Sequence, residues 1–468
     1  MYSDERSHLD LSGVSFLDLS AGTNGGGYYA ASHVTVIMRS AEFQRCSSGL
    51  AGGAAYLDSN VSANISASTI RDCRARDGGG LHLNGSVTLN LSHTIMERNV
   101  AFGSRGGALN AAGALGRNTI KIQGGTFVNN SAAEYGGMSC LWPSSAMVID
   151  GLAEIVGSTS GRGAGIFARE ASSVVLQDVV LRGGAASAIG GGVYIHTMSL
   201  LAAIRSSIHG NSAVTNGGAV YALASCTVDL RQGAAVSGNT AGNRAGGLYL
   251  SSQSTLTVTG SDINNNIASK EGGAVYVSQS QLTVRSSAIS NNSAGEDGGG
   301  VVSTGVGSFG RSMVDLLEGT SVSGNTAANS GGGLHLKQSS LTVKGSSIKG
   351  NSAGGDGGGV YALSGILSST VNLRDGASVS RNTAASSGGG LYLQTSTLTV
   401  SGSAIDGNSA GEKGGGSYAS SSSAVMREGA SVSGNTAATS GVYRKGASSP
   451  TPSPSPQNNA VSYHFYKN

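Results

Sequence analysis

Gly388-Gly389-Gly390-Leu391-Tyr392-Leu393 opens a unit, Thr397-Leu398-Thr399-Val400 continues it, and Ile405-Asp406-Gly407-Asn408-Ser409-Ala410 closes it before Gly414-Gly415-Gly416 begins the next. The closing signature is a branched apolar residue, two spacers and an asparagine. It recurs at Phe127–Asn130, Ile208–Asn211, Val236–Asn239, Ile263–Asn266, Ile289–Asn292, Val322–Asn325, Ile348–Asn351, Val379–Asn382, Ile405–Asn408 and Val432–Asn435. Upstream copies carry cysteine in the asparagine position, as Phe43–Cys46 and Ile70–Cys73, and Asn99 follows Met96. Copies recur about every 25 to 33 residues, a period that marks a solenoid.

Each unit holds two or three runs of three to five residues that alternate or are β-branched, separated by Gly, Ser and Asn, which reads as short strands between tight turns. A helical repeat needs a longer run with apolar spacing near 3.6, and no unit has one. A propeller blade needs about 40 residues, so a period near 28 selects one coil per repeat. The expected fold is all-β, a single-stranded right-handed parallel β-helix of about 15 to 16 coils. One coil cannot bury enough apolar surface to fold alone, so the coils must stack. Residues 1–20, with Leu9, Leu11, Val14, Phe16, Leu17 and Leu19, are expected to cap the first strand edge. The helix itself is expected over 21–446, followed by a Ser/Pro-rich linker at 447–457 and a tail at 458–468.

Composition narrows the function. Charged residues make up 12% of the chain, about half the globular average of about 25%, and regular Leu, Ile and Val positions distinguish it from a disordered tract. A net charge of +3 with no basic run gives no phosphate-backbone footprint, so nucleic acid is not an expected partner. No apolar stretch is long enough for a transmembrane segment, and Met1–Arg6 opens no signal peptide. No cofactor motif is present.

The Gly-Gly-Ala-Val segments at 217–220 and 272–275, paired with Phe127-Val128-Asn129-Asn130, resemble the repeats of the chlamydial polymorphic outer membrane proteins. They also resemble the broader set of pectin-lyase-like right-handed β-helix proteins. The resemblance covers about nine tenths of the chain, though most units have Ile or Val where that family has Phe. It implies a surface-displayed β-helical passenger used in adhesion, here without the C-terminal membrane barrel of such passengers. It also implies a runner-up reading, a polysaccharide lyase or hydrolase. Such enzymes need two or three acids, or acids with a catalytic Arg or Lys, converging from neighbouring coils, and the 26 acids here are scattered. No catalytic residue is assigned, and flat Thr-x-Thr arrays suited to ice are only partial at Thr257, Thr283, Thr342 and Thr399.

Five sets of residues merit placement in three dimensions. Tyr194, Tyr221, Tyr249, Tyr276, Tyr361, Tyr392 and Tyr418 share one register with Phe167, His82 and His335; their apolar neighbours point inward, so the rings are expected to face outward. Such an aromatic stripe suits a glycan or protein partner, or pairs across strands to hold the sheet. Asn211, Asn239, Asn266, Asn292, Asn325, Asn351, Asn382, Asn408 and Asn435 are expected to form a structural ladder through one turn. Cys46 and Cys73, in adjacent coils with Cα atoms about 4.8 Å apart, either form a disulfide or remain two buried thiols. Asp77, Glu271, Asp297 and Asp356 precede the glycine pairs and read as solvated turns rather than a metal site, and no metal ligand is assigned. Sequons at Asn60, Asn64, Asn84, Asn90, Asn129 and Asn291 suggest N-glycosylation and an extracellular or cell-surface protein.

Overall fold

The computed structural model describes residues 1–438 apart from 114–115 and 308–309, together with the backbone of two short strands, Val442–Lys445 and Ser462–Tyr463. The chain divides into two compact units, Met1–Ala241 and Gly242–Asn468. No α-helix occurs among the described residues. The Ser/Pro linker at 447–457 lies outside the described residues, as does the tail at 458–468 apart from Ser462–Tyr463.

Every rung contains the same four strands. In the rung read first they are the tyrosine strand Leu391–Gln394, the long strand Thr397–Ser401, the three-residue strand Ala404–Asp406 and the two-residue strand Ser409–Ala410. Each strand pairs in parallel with its counterpart one rung away, Tyr392 beside Tyr361, Leu398 beside Val371, Ile405 beside Val379 and Ala410 beside Ala384. The first unit stacks nine such rungs and the second seven. Val442–Lys445 adds a further tyrosine strand on Ser417–Ser420, and Ser462–Tyr463 pairs antiparallel with Ser423–Met426. Residues 1–21 are not a separate cap. They form the first rung, with Leu9 beside Val36, Leu11 beside Met38 and Phe16 beside Phe43.

Alternation decides which side chains enter the core. In Thr397–Ser401, Leu398 and Val400 are fully buried while Thr397, Thr399 and Ser401 face outward half-buried. Inward residues meet their own kind above and below; the Phe16 and Phe43 rings stack 4.4 Å apart. Gly388 takes a φ of +70°, which a side chain would strain. At Gly389, a Cβ would collide with the Ser409 and Gly415 carbonyls, so the glycine run records a close approach between strands.

The turn after each three-residue strand is held by the asparagine ladder. The Asn325 backbone N–H and Nδ2 both donate to Asn351 Oδ1 at 3.0 Å, while Asn351 Nδ2 donates to Val322 O at 3.0 Å and Asn382 Oδ1 at 2.9 Å. The same pattern links Asn292 to Asn325, Asn382 to Asn408 and Asn408 to Asn435 in this unit. In the first unit it links Asn99 to Asn130 and Asn211 to Asn239. The residue before each ladder asparagine is left-handed. Where that turn position is not glycine, as at Arg98 and at the equivalent Asp18, Arg45 and Asp72 ahead of Leu19, Cys46 and Cys73, the strain of about 1–2 kcal/mol is offset in part by pairing along the stack, Arg98 Nε lying 2.8 Å from Asp72 Oδ1.

All four cysteines are free and buried, so the disulfide reading of Cys46 and Cys73 is not realised. In-register stacking holds equivalent Cβ atoms near the rung spacing of about 4.8 Å, beyond the mean disulfide Cβ separation of about 3.8 Å. The thiols bond to carbonyls instead, Cys46 Sγ to Phe16 O and Cys73 Sγ to Arg71 O, each at 3.3 Å. A hydrogen bond to the Cys46 sulfur, and burial after it, push the Cys73 thiol up.

Two outcomes follow. Asn351→Ala should lower stability by about 2–4 kcal/mol, because it strands two buried donors of Asn325; chemical denaturation of the variant beside Thr342→Ala, expected within about 0.5 kcal/mol of wild type, measures this. Alkylation after non-reducing unfolding should modify all four cysteines, which intact mass reads directly.

Candidate functional site

The tyrosine strand presents its aromatic column outside the core, but not as a bare surface. In the first unit Tyr2, Tyr29, Tyr56 and His82 stack at centroid distances of 5.3, 5.1 and 5.1 Å. In the second, Tyr249 and Tyr276 stack at 5.2 Å, and Tyr361, Tyr392 and Tyr418 follow at 4.9 Å per step. Each ring thereby hides the faces of its neighbours. Tyr56, Tyr194, Tyr276 and Tyr418 are 6–8% exposed, and Tyr221, Tyr249, Tyr361, Tyr392 and His335 are half-buried. Burial pushes the Tyr194, Tyr221 and Tyr392 phenols up to about 12. The expected open stripe is therefore corrected. A sugar stacks on an aromatic face, and these faces are already used within the sheet, the cross-strand role.

The column is also closed from the side. Cys140, Phe167 and Tyr194 form a small apolar cluster covered by Tyr135, Trp142 and Ile189. Trp142 lies between two guanidiniums, Arg105 at 4.1 Å and Arg169 at 4.0 Å, each contact worth about 0.5–2 kcal/mol. Arg244 covers Tyr276 at 5.0 Å and pairs with Glu271 at 2.7 Å.

Two histidines replace tyrosine in this register. Burial, with a smaller push from the Arg105 cation, lowers His82 to about 4, and Asn110 Nδ2 approaches its Nδ1 at 3.1 Å. Burial also lowers His335, opposed by Asp297, whose carboxylate lies 3.7 Å from Nδ1, and by Glu271.

The acids before the glycine pairs act as turn caps. Asp77 accepts from the Arg105 N–H at 3.0 Å, Asp297 from Ser330 at 2.9 Å and Asp356 from Ser387 at 2.9 Å. Among the described residues no three His, Cys, Asp or Glu side chains gather as a metal site. Of the sequon asparagines, Asn60, Asn64, Asn129 and Asn291 are exposed. Asn84 and Asn90 are half-buried and donate through Nδ2 to Asp58 at 2.9 Å and Asn64 at 2.7 Å.

Sequence reasoning missed a cleft on the outer face of the long strands in the second unit. It has a volume of about 350 Å³ and is lined by Thr342, Asn372, Leu373, Arg374, Asp375, Thr399, Ser401 and Arg427. Thr342, Asn372 and Thr399 stand in one column on three successive rungs. Asp375 lies 3.7 Å from the Lys344 ammonium. The legible signal was the turn after each long strand, Arg374-Asp375-Gly376 and Arg427-Glu428-Gly429 alternating with Lys344-Gly345 and Ser401-Gly402. Serine ladders were also missed: Ser254 and Ser280 donate backbone N–H groups to the hydroxyls of Ser280 and Ser312 at 3.2 and 3.3 Å, and Ser261 to Ser287 at 3.1 Å.

Residues 153–309 match the family model described as the right handed beta helix region. The chain is a right-handed parallel β-helix. No curated protein matches it, and no helix among the described residues is long and apolar enough to cross a membrane.

For this β-helix, His82 sets an acid dependence. Its folded pKa lies below the ordinary value of about 6.5, so the stability it contributes is complete above that pH and is lost as pH falls toward about 4. The loss should total about 3 kcal/mol. His82→Tyr should flatten it, as read by denaturant midpoints between pH 7 and 4.

Proposed function

We propose that this β-helix is a surface-displayed or secreted structural and adhesion protein that binds a glycan or a protein partner along the outer face of its long strands. The observation that carries this reading is the column of Thr342, Asn372 and Thr399 beside a cleft of about 350 Å³. Hydroxyl and amide groups on neighbouring rungs repeat about every 4.8 Å, a spacing suited to the hydroxyls of a polymer lying along the stack. The aromatic column is less open, since its rings are stacked or packed edge-on against one another and are buried or half-buried.

The cleft chemistry favours binding over hydrolysis. A glycosidase needs a pair of carboxyl groups flanking the scissile bond, and the carboxylate lining this cleft, Asp375, faces Lys344 at 3.7 Å. Exposed sequon asparagines at Asn60, Asn64, Asn129 and Asn291 support an extracellular or cell-surface location.

A glycan array probed with the full chain should give binding that Thr342→Leu/Thr399→Leu weakens at least tenfold. Tyr276→Ser should lower the melting temperature while leaving array binding intact. An array silent across neutral and acidic glycans would remove the glycan reading, and turnover of any polysaccharide in the panel would replace adhesion with catalysis.

A further inference from the structure

The cations around this cleft are unevenly paired, and the sequence says why. Lys344 has a partner because the rung after it carries Asp375 in its turn, 3.7 Å away. Arg285 is served the same way by Glu318, at 2.5 Å. The rung after Arg374 has Gly402 at the corresponding turn, so no carboxylate reaches that guanidinium from above. Arg374 sits beside Ser401 in the strand register, and the Arg427 N–H bonds to Val400 O at 2.8 Å, which puts Arg427 on the far side of Ser401. Both arginines are exposed, and neither forms an ion pair among the described residues. On these successive turns Lys344, Arg374 and Arg427 outnumber the acids Asp375 and Glu428, three cations against two.

Arg374 and Arg427 are two rungs apart, about 10 Å at about 4.8 Å per rung, with the neutral hydroxyl of Ser401 between them. One pyranose residue of an extended chain spans about one rung. Successive sugars would then meet Arg374, Ser401 and Arg427 in turn: charge, hydroxyl, charge. Guanidinium forks suit carboxylate or sulfate groups, and Thr342, Asn372 and Thr399 supply hydrogen bonds along the polymer.

We infer that the cleft between Arg374 and Arg427 binds an acidic polysaccharide of disaccharide repeat, carrying its anionic group on every second sugar and lying along the stacking direction. This rests on the glycan-binding reading above and specifies its ligand. Alternation in the polymer meets alternation in the protein, where Arg-Asp-Gly and Arg-Glu-Gly turns alternate with Lys-Gly and Ser-Gly turns.

The test is equilibrium binding of the full chain to three probes: hyaluronan, with one carboxylate per disaccharide; polygalacturonate, with one on every sugar; and neutral dextran. Hyaluronan should bind at least tenfold more tightly than either of the others, and more weakly as salt rises. Arg374→Ala/Arg427→Ala should lower that affinity at least tenfold. Gly402→Asp should do nearly the same by supplying Arg374 with an internal carboxylate. Gly402 has a φ of +53°, and its added Cβ would meet only Asp375 N, at 4.0 Å, so a residue that tolerates the left-handed region fits there. Unchanged melting curves for these variants would tie the losses to the site. Equal binding of hyaluronan and polygalacturonate, or hyaluronan binding unaffected by the arginine variants, overturns this inference and leaves the broader glycan reading standing. Binding of none of the three probes overturns the inference; a blank glycan array would remove the broader reading as well.

Discussion

Register between stacked rungs is the constraint from which the rest follows. Each strand hydrogen-bonds to its counterpart about 4.8 Å away, and the turns are fixed as firmly as the strands because asparagine bridges them. Asn351 makes four side-chain hydrogen bonds, receiving two from Asn325 and giving one each to Val322 and Asn382. A rung that slipped by one residue would break all four and would turn Leu341 and Val343 outward. The ladder and the apolar alternation therefore specify one register together.

A fixed register converts every sequence position into a column, and a column has rules that a single residue does not. Opposite charges favour stacking, and the left-handed turn position in the first unit reads Asp18, Arg45, Asp72, Arg98, with Arg45 and Arg98 each paired to an aspartate. Rings can stack, face to face from Tyr2 to His82, at Tyr249–Tyr276 and from Tyr361 to Tyr418, and edge-on at Tyr194–Tyr221 and His335–Tyr361, all at about 5 Å, which turns an outward aromatic position into a second, lateral packing zone. Thiols stack without bonding covalently, since directly superposed Cβ atoms are too far apart. Histidine in a ring column is held neutral, because a cation there would be desolvated among rings.

The fold was legible because its period, its glycine runs and its Phe/Ile/Val-x-x-Asn signature are local and repeated. The direction of the tyrosines was legible for the same reason: strand alternation is a rule about one chain. Their burial was not. It depends on what the neighbouring rung and the side loops place against each ring, such as Arg244 over Tyr276 or Tyr135 and Trp142 over Phe167, and those partners lie about a full rung away in the sequence. Residues 1–20 had the apolar positions of a rung and were read as a cap, because a terminal rung and a cap share the same pattern until pairing is seen. The serine ladders escaped notice because serine is abundant throughout the chain, whereas the asparagine stood in a fixed motif. The division at Ala241 has no counterpart in the repeat pattern.

The same constraint indicates where recognition is to be sought. A column whose members satisfy one another, ring on ring or amide on amide, has little left to offer a ligand. Asn351 and its neighbours are fully engaged, and the tyrosines have given up their faces. The outer long-strand face differs in kind: Thr342, Asn372 and Thr399 project polar groups that the strand hydrogen bonds do not require. The turn beside it completes an ion pair at Lys344 but not at Arg374, where Gly402 occupies the place of an acid. Glycine in place of an acid at this turn leaves local positive charge without altering the backbone path, since Gly402 and Asp375 share a left-handed φ of +53° and +54°. A solenoid can thus keep polar and charged groups available on one face while its ring and amide columns close on themselves.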